Sequence, residues 1–179
     1  AIVPVCAPLF EGIDELAARV AALEVGEAHE RALPPFLPVD RAFTQHGFGT
    51  VVTGSLLRGA LVVGDRLVVY PSRKSARVRT LHVHGQSVER VEARTRIALN
   101  LADVGPHEVP RGSVIGAPDQ VCVGRIADAQ IEWLGHNPKP LRRARSLGWG
   151  SGPTRAQASI VCEPPIKSGK LGVGRLHLD

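Results

Sequence analysis

The chain has 179 residues, 44% of them hydrophobic and only 4% aromatic, with 22 Lys and Arg against 17 Asp and Glu and a net charge of +5. That length can bury one large or two small cores, and no run of about 18 apolar residues is present to cross a membrane as a helix. The basic balance fits either a polyanionic partner or a solvated surface, and the shortage of aromatics argues against a base-stacking platform and for phosphate contact.

The first segment, "AIVPVCAPLFEGIDEL", is apolar, carries no basic leader and turns acidic at Glu11, so it does not read as a secretion signal. Residues 1–5 read as the end of a buried strand. "GIDELAARVAAL" then sets Ile13, Leu16, Ala17, Val20 and Leu23 at helical spacing, which predicts one helix. "GEAHERALPPF" is charged and ends in a double proline, the composition of a linker.

From Leu37 the apolar period changes to two. "LPVDRAFT", "FGTVVTGSLL", "DRLVVYP", "ARVRTLHVHG", "RIALNLADV" and "GSVIGA" are short, rich in Val and Leu, and separated by Gly, Pro, Asp or Ser. Strands at that spacing predict an antiparallel barrel. Gly47 and Gly49 allow a sharp turn with positive φ, and Gly54, Gly59 and Gly64 with Asp65 fit turns between short strands. None of these glycines is followed by the Lys and Ser or Thr of a phosphate loop, so they read as scaffold. A second β-rich block begins near Val121: "VGRIADAQIEWL", "RAQASIVC" and "KLGVGRLHLD" read as strands, but about 59 residues are few for a self-sufficient barrel. The expected chain is mainly β: a strand and helix over 1–27, a linker over 28–36, an antiparallel barrel over 37–118 and a partial second barrel over 119–179.

Candidate chemistry is sparse. Cys6, Cys122 and Cys162 lie far apart without a CxxC pair, which reads as reduced, buried thiols of a cytosolic protein. His82 and His84 share a strand face, and His46 and His107 fall in loops, but no cysteine or carboxylate completes a metal-ligand set. Ser151 in "WGSGP" lacks a nucleophile-elbow context, and the glycines around it read as a turn. The positive charge gathers in "SRKSARVR" (72–79) and "KPLRRAR" (139–145).

"DRAFTQHGFGTVVTGSLLRGALVVGDRL", "ARVRTLHVHGQSVERVEARTRIALNLADV" and "RGSVIGAP" together closely resemble the second domain of translational GTPases of the elongation factor Tu superfamily, and among these the selenocysteine-specific elongation factors. The segment before them is similar to the last strand and helix of a GTPase domain, and the remainder to part of a third domain. The resemblance implies a parent that binds GTP and magnesium. This sequence, however, has no GxxxxGK[ST], no DxxG in a switch context and no NKxD, so the chain itself is expected neither to hold nucleotide nor to act as an enzyme. Where the family carries a Ser-Ala pair touching guanine, the chain has Cys6 and Ala7.

Carried over from the resemblance, the aminoacyl pocket falls on Asp40, Arg41 and Arg96. A selenol is more acidic than a thiol and is anionic at neutral pH, so two guanidiniums would discriminate it by charge from a neutral serine hydroxyl. Asp40 would take the aminoacyl ammonium or orient an arginine. Arg142, Arg143 and Arg145 would contact the tRNA backbone. The implied partners are selenocysteinyl-tRNA and the ribosome in the cytoplasm, a GTPase domain, and a further C-terminal domain that reads a messenger RNA hairpin, with no membrane. The alternatives are a barrel from another translational GTPase, or a docking domain that binds no tRNA.

Overall fold

The computed structural model describes residues 2–23, 32–134 and 139–179. Its centre is an antiparallel ring of six strands. Strands β1 (Phe36–Gln45), β2 (Gly49–Leu56), β4 (Arg66–Tyr70), β5 (Lys74–Val83), β8 (Thr95–Ala102) and β9 (Val114–Gly116) run in the order β4-β9-β1-β2-β8-β5, and pairing of β5 back to β4 closes it. Closure leaves no free edge among these strands. The short strand β6 (Gln86–Val88) extends β5, and β3 (Ala60–Val62) pairs with β7 (Arg90–Glu92) as a separate ribbon.

The period-two pattern explains the interior. On β8, Ile97, Leu99 and Leu101 are buried and face inward, and they meet Leu37 and Val39 of β1, Val52 and Leu56 of β2, Val78 and Leu81 of β5, and Ile115 of β9 in one apolar cluster. All six barrel strands expected from the sequence are present; the three short strands β3, β6 and β7 are additions to that expectation.

Gly54 departs from the turn role expected for it. It sits inside β2 opposite Val39, where a Cβ would lie 2.3 Å from the Pro38 carbonyl oxygen and 2.9 Å from Leu37 Cδ1. Its function is to let two strands approach closely. Gly47 and Gly49 do take positive φ, 80° and 82°, in the turn from β1 to β2.

The second block is an open four-stranded antiparallel sheet: β10 (Ile126–Trp133), β13 (Lys170–Leu178), β12 (Thr154–Ile166) and β11 (Leu141–Ser151), in that order. Its buried cluster is Leu141, Ile160, Cys162 and Ile166, against which Ile131, Trp133, Ala144, Leu147 and Leu176 pack while staying partly open. The tip of the β11–β12 hairpin touches the barrel, where Thr154 Oγ1 donates to the Gly112 carbonyl at 2.9 Å.

Before the barrel, α1 (Ile13–Ala21) forms as the spacing predicts, but none of its residues is buried, and Val20 and Leu23 remain exposed. No strand forms over 2–5, in contrast to the expectation, because an extended segment becomes a strand only beside a partner and none is at hand among the described residues. Cys6 instead makes an isolated bridge to Glu11 around a single 3-10 turn at Ala7–Leu9. Of the expected linker, residues 28–31 lie outside the described residues, and Phe36 already opens β1. Of the cysteines only Cys162 is buried; Cys6 is half-buried and Cys122 exposed, and all three are free. Among the described residues no helix is long and apolar enough to cross a membrane.

Candidate functional site

The register of the barrel determines what its outer wall displays. Pairing sets Arg96 opposite Ser55, Ala98 opposite Thr53 and Asn100 opposite Val51 between β8 and β2; on the far side His82 faces Ala98, and Thr80 faces Asn100, between β5 and β8. Strand β1 joins this wall through Arg41 opposite Thr53 and Phe43 opposite Val51. The register of β1 shifts between Val39 and Arg41, so Asp40 is the extra residue of a bulge. A bulge bends its strand and re-aims a side chain, and here it turns the Asp40 carboxylate towards β8.

Arg96 Nη1 donates to Asp40 Oδ2, joining residues 56 apart in sequence. The arginine side chain is 58% exposed and the aspartate 29%, so the pair is worth about 0–1 kcal/mol to stability. A contact that weak is available for exchange with a ligand. Arg41, the third residue carried over from the resemblance, is exposed on the same bulge and lines neither of the two cavities that Arg96 borders.

The larger of those cavities is a groove of about 590 Å³ along the outer wall. Phe43 and Phe48 border one side, His82 and His84 the other, with Arg96 among its lining and Thr53, Thr80 and Asn100 in its floor. Asn100 is only 5% exposed and its Nδ2 donates to the Phe48 carbonyl, yet its Oδ1 has no partner; neither do the buried hydroxyls of Thr53 and Thr80. Buried polar atoms left unpaired cost free energy, and three in one groove mark a place where a ligand with donors and acceptors would satisfy them. These three residues are not among the candidates that the sequence singles out. The available signal is polar Thr and Asn at outward positions of strands whose inward positions are uniformly aliphatic.

The smaller cavity, about 310 Å³, lies where the β11–β12 hairpin meets the barrel and brings Asp40, Ser55, Arg96 and Arg111 beside Gly152 and Pro153. Arg142, Arg143 and Arg145 are exposed on β11, away from both cavities. Ser151 ends β11 as the partner of Thr154, so it is a strand residue and not the loop residue expected, and the turn itself falls on Gly152 and Pro153. His46 lies in the β1–β2 turn and His107 in the 3-10 turn Pro106–Glu108; among the described residues no three His, Cys, Asp or Glu side chains gather as a metal site.

Resolved pKa displacements fall outside the groove. The Gly105 backbone N–H and the nearby Lys74 hold Glu108 below the usual carboxylate range, the Arg175 guanidinium does the same for Asp128, and burial raises the Cys162 thiol.

The closed six-stranded barrel carries a polar-floored groove on its outer wall, and residues 49–116, from the start of β2 to the end of β9, match the family elongation factor Tu domain 2. The chain is a homologue of part of a selenocysteine-specific elongation factor: the protein of that description from Desulfomicrobium baculatum is 36% identical over 160 residues, covering 89% of this chain. The match spans about a quarter of that relative, 25% of its length. Elongation factor 1-alpha of Pyrobaculum aerophilum is 38% identical over 88 residues, 49% of this chain and 20% of its own. The crystal structure of translation elongation factor SelB from Methanococcus maripaludis in its apo form superposes with a TM-score of 0.81 over 99% of this chain and 43% of that one, at 23% identity, a likeness of fold.

Proposed function

We propose that this chain is the tRNA-binding portion of a selenocysteine-specific translation elongation factor. It would receive the aminoacyl end of selenocysteinyl-tRNA for delivery to the ribosome at recoded UGA codons in the cytoplasm. The observation that carries this reading is the outer-wall groove, with three unpartnered buried polar atoms and the exchangeable Arg96–Asp40 pair at its border. The terminal nucleoside of an acceptor end brings a planar base and hydroxyls to such a floor. Its esterified amino acid brings an ammonium, which suits Asp40, and in selenocysteine an anion, which suits Arg96. Arg41 would swing from the neighbouring bulge position to supply the second guanidinium. GTP and magnesium would be held by a GTPase domain of the parent protein, and a further domain would read the messenger RNA hairpin.

A barrel from a general elongation factor fits residues 49–116 as well, but the similarity to elongation factor 1-alpha covers about half of the chain, 49% and 53% for two relatives, against 89% for the Desulfomicrobium baculatum protein. The test compares selenocysteinyl- and seryl-tRNA binding to the parent sequence, Arg96→Ala and Arg41→Ala, with the GTPase domain present. A charge-assisted contact is worth roughly 1.5–3 kcal/mol, so each variant should bind the selenocysteinyl form about ten- to hundredfold more weakly and the seryl form nearly as before. Equal weakening for both forms would reduce the arginines to general backbone contacts and remove the basis for the selenocysteine assignment.

A further inference from the structure

The β4–β5 hairpin places Arg66 directly opposite Arg77. Like charges at facing positions of an antiparallel pair repel and destabilise it. Both side chains are exposed, and neither guanidinium has an ion-pair partner among the described residues, whereas the neighbouring Lys74 meets Glu108 at 3.2 Å. Asp103 borders the same crevice of about 330 Å³, together with Ser75 and Pro118, but makes no ion pair with either arginine. Residues 66–79 contain Arg66, Arg73, Lys74, Arg77 and Arg79 and no carboxylate at all. Within the described fold no ion pair offsets the repulsion.

We propose that this hairpin is a docking surface for an RNA backbone, with a phosphate seated between Arg66 and Arg77. Two facing guanidiniums become favourable once an anion lies between them, and the Ser75 hydroxyl, next outward on the same strand, adds a donor to the seat. The surroundings select the partner. Large exposed hydrophobics are absent between Val62 and Val123 among the described residues, so a protein partner would find no apolar anchor, and a membrane would find nothing to insert. A phosphate backbone requires neither. The surface is also separate from the aminoacyl groove, since β4 stands three places from β2 around the ring, so an RNA held here does not compete for that groove. It stands whether or not the aminoacyl reading does.

The test measures binding of a labelled 16-base-pair RNA duplex to the full chain across a salt series, for the parent sequence, Arg66→Ala/Arg77→Ala and Arg66→Lys/Arg77→Lys. The alanine pair should bind about tenfold or more weakly. Its slope of log affinity against log salt should flatten by about two, one for each guanidinium that no longer neutralises a phosphate. The lysine pair should retain most of both. Thermal melting at low salt should leave the alanine pair as stable as the parent or more so, because the repulsion is gone. Unchanged affinity and slope would overturn the proposal, as would a lower melting temperature for the alanine pair. Binding of poly-glutamate or of phosphatidylserine vesicles as tight as that of the duplex would overturn the assignment to RNA.

Discussion

Asp40 reaches Arg96 because β1 carries one residue more than its partner strand across that stretch, and the register resumes at Arg41. Nothing in the local pattern of "LPVDRAFT" announces the bulge, and 56 residues separate the pair, so only the family resemblance singles out both residues. Thr53, Thr80 and Asn100 are ordinary strand residues in sequence; their lack of partners emerges only once the register aims them into one groove. Glycine conformation follows the sequence expectation at Gly47 and Gly49, where φ is positive, and departs from it at Gly54, whose need is for space. Sequence shows that a glycine is present without showing which of its two freedoms is used. The close approach at Gly54 is to backbone, which cannot swing aside, so Gly54→Ala should destabilise the chain by about 2–3 kcal/mol or more in urea unfolding. Gly148→Ala, at a strand position where a Cβ meets nothing within 4 Å, should be neutral or mildly stabilising. Equal effects would mean that β1 and β2 can separate without cost.

The barrel strands are legible in the sequence because their alternation is regular, and β11 is not because its alternation is broken twice. Register shifts between Leu141 and Arg143 and between Ala144 and Leu147 space the core-facing residues Leu141, Ala144 and Leu147 three apart, and Ser146 takes φ of 62°. A period of three in a strand looks like no strand at all, so "LRRARSLGWGS" stands out only by its charge. The short β3, β6 and β7 have three residues each, too few to establish any period. The first segment shows the opposite case, since "AIVPV" has strand composition but residues 2–5 meet no strand among the described residues. Irregularity on β11 leaves Arg142, Arg143 and Arg145 exposed on an edge strand, as a backbone contact needs. Replacing all three by Ala should weaken binding of different tRNAs alike and flatten the salt slope by up to about three. An unchanged slope would leave this edge a solvated surface whose charges merely keep edge strands of neighbouring molecules apart.

At the scale of the molecule, burial is uneven: among the described residues 17 buried ones form the barrel cluster and four the cluster of the open sheet. The segment ahead of the barrel buries less still, with Ile2, Leu9, Phe10, Val20 and Leu23 exposed. A nucleotide site requires parts held in fixed relation: backbone amides and a lysine around the phosphates, a hydroxyl and a carboxylate on magnesium, and an Asn-Lys-x-Asp segment on guanine. The resemblance likens residues 1–27 to the end of a GTPase domain and would set Cys6 and Ala7 at the guanine-touching pair, and the Cys6 backbone is already bonded to Glu11. One contact of that kind contributes about 0.5–1.5 kcal/mol, whereas micromolar affinity corresponds to about 8 kcal/mol. Titration calorimetry with GTP, GDP or a non-hydrolysable analogue should therefore show no saturable heat, with or without magnesium. Replacing Cys6 by Ser, which restores the family's pair, should not rescue binding, because the phosphate and magnesium contacts are untouched by it. Saturable heat at micromolar nucleotide would overturn this expectation and place a nucleotide site on the barrel or the open sheet.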